Sequence, residues 1–326
     1  MKHFLSGLIA AACMIAYAGP SHAQGYPNKP ITIIVPFAAG GPTDIVARVI
    51  AAQFSSSLGQ QAVVENVVGA AGTIGMVRAA RAAPDGYTLL LAGMSTMSFS
   101  PTVYPNIQAH SINSFEPVGI VASAPIVLTV AKQVPASNVK EFADHLRAMG
   151  DEANNGHAGI GSSSHLACAL INQRLGGKAS VVPYKGTSQI MHDMLAGQIH
   201  FLCDQTTSVM TQVRAGGIKA LAVLADQRSK ALPDVPTISE AGYPGAEMVL
   251  WNAVFAPKGT PPEIVKQLNA AIAKGIEAPA VIKQFSDLGA EPPGPAQRSP
   301  EALGKILASD IEKWGKVIRD AGIQAN

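Results

Sequence analysis

The sequence predicts an α/β protein built as two α/β lobes with a ligand cleft between them. Three observations carry that expectation. Strand-like and helix-like segments alternate from residue 31 onward, a second small α/β unit follows a strand-like stretch at residues 118–130, and the C-terminal quarter supplies a further strand and helices after a proline-bearing loop.

The elements read in order as follows. Residues 31–37 are β-branched and bounded by Pro30, residues 45–58 are Ala-rich and helical, and residues 61–66 are again strand-like, which makes a βαβ unit. Residues 69–83 read as a Gly-initiated helix stopped by Pro84-Asp85-Gly86, a turn leading into a strand at 87–92. After the strand at 118–130 come a helix at 138–149, a short strand and loop at 157–161, a helix at 164–175, a strand at 181–184, a helix at 188–195, a strand at 199–203 and a helix at 207–215. Residues 219–224 form a return strand, the loop 228–243 carries prolines at 233 and 236, and a strand at 249–255 precedes helices at 262–276 and 301–320. The lobes are accordingly written as residues 24–124 and 225–326 for the first and 125–224 for the second, with crossings near residues 122–125 and 222–225.

Residues 1–23 read as a cleavable secretory signal: Lys2, an apolar run over 4–18, the breaker Gly19-Pro20, then Ser21-His22-Ala23 with small residues at the positions that govern cutting. The run is about 15 residues, short of the ~20 that span a bilayer. Removing these residues takes away one lysine and no acid, leaving 23 basic against 22 acidic side chains. Such a balance points to neither nucleic acid nor an anionic membrane surface as partner. Only Cys168 and Cys203 then remain, too few and wrongly spaced for a metal motif; they read as two small buried hydrophobes, with a single disulfide left open because it depends on a distance the sequence does not give.

Three loops could hold a ligand. Phe37-Ala38-Ala39-Gly40-Gly41-Pro42-Thr43-Asp44 turns from a strand straight into a helix through two glycines, which lets backbone N–H groups at a helix N-terminus approach an anion. It has neither the dinucleotide nor the P-loop spacing, and a plain tight turn capped by Thr43 or Asp44 would look the same. Gly159-Ile160-Gly161-Ser162-Ser163-Ser164 repeats the arrangement in the second lobe with added hydroxyls, and Tyr184-Lys185-Gly186-Thr187-Ser188 offers an amide, a hydroxyl or a charge. Two helix N-termini facing one cleft would suit a ligand with two anionic ends.

The chain also resembles a known family along essentially its whole length after residue 23. Tyr26-Pro27 with Lys29-Pro30-Ile31, Ile34-Val35-Pro36-Phe37, Gly40-Gly41 with Asp44, Val64-Glu65-Asn66, and Pro84-Asp85-Gly86-Tyr87-Thr88-Leu89-Leu90 are similar to the Bug-type solute receptors of tripartite tricarboxylate transporters. Gly161-Ser162 with His165-Leu166-Ala167, Pro183-Tyr184-Lys185-Gly186, Leu232-Pro233-Asp234-Val235-Pro236-Thr237 and Ala256-Pro257-Lys258-Gly259-Thr260-Pro261 extend the match. The resemblance implies a periplasmic binding protein fold whose lobes close on a small carboxylate, such as a dicarboxylate, and deliver it to the permease subunits of a tripartite tricarboxylate transporter; an aromatic carboxylate is the expectation from the departures described next. Carried over, it points to Phe37, Ala39, Gly40, Gly41 and Asp44 on one side and Gly161, Ser162, Ser163 and Ser164 on the other. Ser95, Thr96 and Asp204 match positions that line the cleft; Lys185, Gly186 and Thr187 complete the candidate site. For Asp204 the roles open are receiving a ligand hydroxyl, fixing a water, or capping the helix at Thr207.

Departures from the family pattern suggest an apolar middle to the ligand: Ala38-Ala39 and Pro42 in the first loop, Met94, Met97 and Phe99 around Ser95 and Thr96, and His157-Ala158 where serines are common. No enzyme, metal or cofactor is expected. There is no nucleophile elbow, no His-Glu-x-x-His and no cysteine motif, and Ser164-His165 are helix neighbours that face different ways. A receptor that presents its ligand to a sensor would use the same pocket and is the alternative reading.

Overall fold

A computed structural model describes residues 25–320 and 322–323, so the expected signal at residues 1–23 lies outside the described residues. The first strand, β1 (Ile31–Val35), lies between β2 (Ala62–Asn66) and β3 (Thr88–Gly93) and runs parallel to both. Burial on both faces explains its unbroken β-branched run. Ile31, Ile33 and Val35 join the core that lies under α1 (Pro42–Leu58), and Ile34 joins the core on the other face. Helix α1 begins three residues before the expected start, with Pro42 in its first turn, where the missing N–H costs nothing. It ends at Gly59 in the left-handed conformation, φ 72°. Phe54, fully buried on α1, anchors that face, and truncating it to alanine would cost roughly 3–5 kcal/mol.

The segment expected as one helix over 69–83 is a 3₁₀ turn, Ala70–Gly72, followed by α2 (Thr73–Ala80). After β3 the chain makes a π-helical turn, Ser95–Phe99, that runs on into the short α3 (Ser100–Val103). Strand β4 (Phe115–Ala131) then passes through both lobes. Its first part, to Pro125, pairs antiparallel with β9 (Val249–Pro257), which in turn pairs with β3. From Ile126 on, β4 pairs with β7 (Phe201–Gln205) on one side and β8 (Ile218–Leu224) on the other.

The second sheet is completed by β5 (Asn154–His157) and β6 (Ser180–Pro183), parallel to one another. Around it lie α4 (Val139–Met149), α5 (Ser163–Arg174), α6 (Thr187–Leu195) and α7 (Thr206–Arg214). The chain beyond β8 stays with this sheet for some distance. Ile238 N–H donates to Val223 O, Val223 N–H to Pro236 O and Met248 N–H to Leu224 O, so the return into the first sheet falls at Met248 and Val249. Helices α8 (Pro262–Ile276), α9 (Pro279–Asp287) and α10 (Pro300–Asp320) close the first lobe. Among the described residues, no helix is long and apolar enough to cross a membrane.

Candidate ligand-binding cleft

Both Gly-rich turns reach the gap between the lobes, and each is organised by its own side chains. In the first, the Asp44 carboxylate accepts from Gly40 N–H (2.9 Å), from Asn66 Nδ2 (2.9 Å) and from Arg48 Nε and Nη2 (2.9 and 3.0 Å). Asn66 Nδ2 also donates to Phe37 O, tying the loop to β2. Burial alone would raise the Asp44 carboxyl, but the Arg48, Gly40 and Asn66 hydrogen bonds overcome it and hold the group below the usual carboxylate range. Its side chain is therefore spent on the loop. Gly41 N–H donates to Ala38 O at 3.3 Å and Pro42 has no N–H, so the main-chain donors left at the start of α1 are the first-turn amides that follow Pro42.

In the second turn the organisers are neutral. Ser162 caps α5 by accepting from His165 N–H at 3.2 Å and shares a hydrogen bond of 3.1 Å with Ser164 Oγ, which accepts from Ala158 N–H. Two imidazoles hold the glycines: Gly159 N–H donates to His157 Nδ1 at 3.0 Å, and Gly161 N–H to His165 Nδ1 at 3.2 Å. The rings lie against each other with centroids 4.5 Å apart and planes tilted by 45°. Burial, and for His165 also the charge of His157, pushes both below the usual imidazole range, His165 to about 4. Both rings are thus neutral near pH 7, with Nδ1 unprotonated and accepting.

A cavity lies between these turns, walled by Phe37, Gly41, Pro42 and Thr43 of the first loop, Gly93, Met94 and Ser95 after β3, Ala158 and Ser162–Ser164 of the second loop, Thr187, Asp204, Gln205, and Leu250 from β9. The candidates Phe37, Gly41, Ser95, Ser162, Ser163, Ser164, Thr187 and Asp204 thus meet in one wall. Asp204 is 1 % exposed and accepts from Thr187 Oγ1 and from Gln205 N–H. Gln205 Oε1 in turn accepts from Asn252 Nδ2 at 3.1 Å.

Other candidates sit elsewhere. Ala39 and Gly40 are exposed, and the Gly40 amide is committed to Asp44. The π-helical turn swings Thr96 and Phe99 off the cavity. Thr96 Oγ1 donates to Ala71 O, and the Phe99 ring packs on Trp314 at 5.2 Å, so Phe99 adds nothing to the pocket's apolar character. Lys185 is exposed, with its N–H donating to Gln189 Oε1. Gly161 and Gly186 serve the closeness of the lobes: a Cβ on Gly161 would lie 2.8 Å from Val103 Cγ1, and one on Gly186 2.6 Å from Ala38 Cβ. Sequence reasoning missed Thr43, Gln205 and Leu250 as wall residues. Thr43, beside the glycines, was legible as a neighbour; Leu250 was not, because only the β4–β9 pairing brings it there.

The space enclosed is about 20 Å³ as mapped by the centre of a water-sized sphere, room for about one water. Any larger ligand therefore needs the lobes to part. Across the gap Tyr104 Oη donates to Ile160 O at 2.8 Å. Cys168 and Cys203, both buried, are unpaired thiols, with Cys203 N–H donating to Cys168 Sγ at 3.0 Å.

Two α/β lobes joined through a shared strand and shut over one small cavity define a periplasmic binding protein fold. The chain belongs to the tripartite tricarboxylate transporter family of receptors, whose model matches residues 46–323. Three solved structures agree. The periplasmic binding protein BugD is 39% identical at a TM-score of 0.89, covering 92% of this chain and 100% of its own. MatC of Rhodopseudomonas palustris with bound malate is 38% identical at 0.86, covering 90% and 100%. The R. palustris protein Rpa4515 with adipate is 34% identical at 0.87, covering 92% and 99%. The family and these neighbours are solute-binding proteins.

Proposed function

We propose that this protein is an exported periplasmic receptor, without catalytic activity, that closes on a small carboxylate and delivers it to the membrane permease of a tripartite tricarboxylate transporter. The observation that carries this reading is the meeting of two helix N-termini, those of α1 and α5, at one cavity rimmed by the hydroxyls of Thr43, Ser95, Ser162, Ser163, Ser164 and Thr187. Each terminus offers main-chain N–H groups and the positive end of a helix dipole to an anion. Malate and adipate, bound in two relatives, are carboxylates with two anionic ends. Phe37, Pro42, Met94, Ala158 and Leu250 give the cavity apolar walls between its polar ends, which favours a ligand with an apolar middle.

Opening and closing would turn on the two places where the chain passes between sheets, Pro125–Ile126 in β4 and Met248–Val249 before β9, with the ligand favouring the closed state. The test is thermal unfolding of residues 24–326 against aliphatic, hydroxylated and aromatic mono-, di- and tricarboxylates. A ligand at about a thousand times its Kd adds roughly 4 kcal/mol, a rise of several degrees. No rise with any carboxylate would overturn the assignment.

A further inference from the structure

The cavity wall has an unusual charge balance for an anion site. Of the fifteen residues around it, none is Lys, Arg or His, and Asp204 is the one ionisable side chain. Asp204 is almost wholly buried, and the groups that donate to it, the Thr187 hydroxyl and the Gln205 N–H, are uncharged. An ionised Asp204 would put a bare negative charge against an incoming carboxylate where little water can screen it.

The hydrogen count leads to the same place. With Asp204 ionised, the Thr187 hydroxyl hydrogen is spent on Oδ2, and the Thr187–Asp204 pair turns only acceptors toward the cavity. Adding one proton changes that. Either the carboxylic O–H faces the cavity, or it donates to Thr187 Oγ1 and frees the threonine hydrogen to do so. In both cases the pair gains one donor, which a carboxylate ligand needs.

We propose that Asp204, ionised while the open cleft is filled with water, becomes the neutral acid as the lobes shut on the ligand, so that the cleft takes up one proton with each carboxylate it binds. This rests on the carboxylate-receptor reading above and names the residue that sets the charge the site accepts. Burial pushes the Asp204 carboxyl above the usual carboxylate range despite the opposing hydrogen bonds from Thr187 and Gln205, which agrees with a proton held there.

The titratable groups on the surrounding elements do not compete for this role. Burial holds His157 on β5 and His165 on α5 below the ordinary imidazole range, His165 at about 4. Cys168 on α5 is a buried thiol, and burial pushes the Cys203 thiol, next along β7, well above its usual range. Residues 126–131 of β4 carry no ionisable side chain. On α6 and α7 the titratable groups are His192, Asp193 and Arg214, none of which lines the cavity or bonds to Asp204.

The experiment is isothermal titration calorimetry with malate and with adipate from about pH 6.5 to 8.5, where ordinary carboxylic acids are ionised, in pairs of buffers that differ in ionisation enthalpy. For the unaltered protein the expected result is net proton uptake approaching one per ligand, with Kd rising toward tenfold per pH unit. In Asp204→Asn, whose amide donates permanently, uptake vanishes and affinity at pH 8.5 is no weaker than that of the unaltered protein at pH 6.5. Binding of either ligand with no proton uptake and a flat Kd would overturn the proposal while leaving the receptor assignment standing; uptake persisting in Asp204→Asn would move the proton to another group. Should that variant fail to fold, the proton count on the unaltered protein decides alone. Failure of every carboxylate to bind at every pH would remove both readings together.

Discussion

The loop from Phe37 to Asp44 and the loop from Gly159 to His165 face the same cavity from opposite lobes, yet they are held in shape by opposite chemistry. The first is organised by a charge, Asp44 against Arg48, with Gly40 and Asn66 completing its shell. The second is organised by hydroxyls and neutral imidazoles. The difference follows from what each sequence offers beside its glycines. Asp44 stands in the first turn of α1, where the helix dipole favours an acid, and Arg48 one turn on completes an i, i+4 pair. Ser162 caps α5, and His165, three residues later, turns back over Gly161. The two loops are therefore preorganised by different means, and they fail under different conditions.

The largest expected effect removes the first side outright. Gly41 lies in the cavity wall and has an ordinary φ of −80°, and a Cβ there would sit 3.3 Å from Ala38 O, so the backbone itself tolerates a side chain with a small adjustment. The branches of Gly41→Val would project into a cavity with room for about one water. Affinity for the ligand should fall at least a hundredfold, about 3 kcal/mol, while the unliganded unfolding temperature moves little. Unchanged affinity would take the first loop out of the site.

How much of this was legible in the sequence depended on how locally each part is determined. The Gly-Gly and Gly-Ser turns and their helices could be read from adjacent residues, because turn and capping preferences act over a few positions, whereas Asp204, inside β7, came only from the family resemblance. Thr96 was placed in the cleft by the family resemblance, and Phe99 by its departure from the family pattern beside it. The π-helical turn, whose Ser100 N–H reaches back to Ser95 O, rotates them away, and no composition signal announces it. The organising roles of His157 and His165 were hidden for another reason: each ring's bond to a glycine N–H is a product of the folded loop. Helix α9 had Pro279 at its start as a cue but is only nine residues long. Leu250 and Gln205 reach the cavity through strand pairings between residues far apart in the chain.

A sharper test of the comparison is acid. For His165 the folded value is about 4 against an ordinary imidazole near 6.5, so between those values the unfolded chain binds more protons than the folded one. Stability contributed by the neutral imidazole is complete above about pH 6.5 and is lost as pH falls toward 4, at most ~3 kcal/mol. Asp44 is depressed from the carboxylate range, so its contribution persists through that whole interval and is lost only at lower pH. Native-state hydrogen exchange between about pH 7 and 5 should therefore show the Gly159 and Gly161 amides losing protection while the Gly40 amide keeps its own. A parallel loss at all three would mean that the loops share one opening event.

The smallest expected effect concerns what joins the second loop to the first lobe. Gly159 and Gly161 have φ of 111° and 80°, and their missing side chains let Ala71 and Val103 approach, which brings Ile160 O within reach of the Tyr104 hydroxyl. Among the described residues the first loop has no matching bond across the gap; it meets the second lobe through packing of Ala38 on Gly186 and Gly40 on Ser188. Tyr104→Phe deletes one neutral hydrogen bond whose acceptor sits on an exposed residue, where water can replace the donor, so the net cost is about 1 kcal/mol. That bond exists only while the lobes are together, so the loss should fall on the closed state: roughly fivefold weaker binding, expressed as faster ligand release with an unchanged association rate. An equal Kd for the two proteins would mean that the Tyr104 bond survives opening, and would shift the moving boundary to the far side of the Gly159–Gly161 turn.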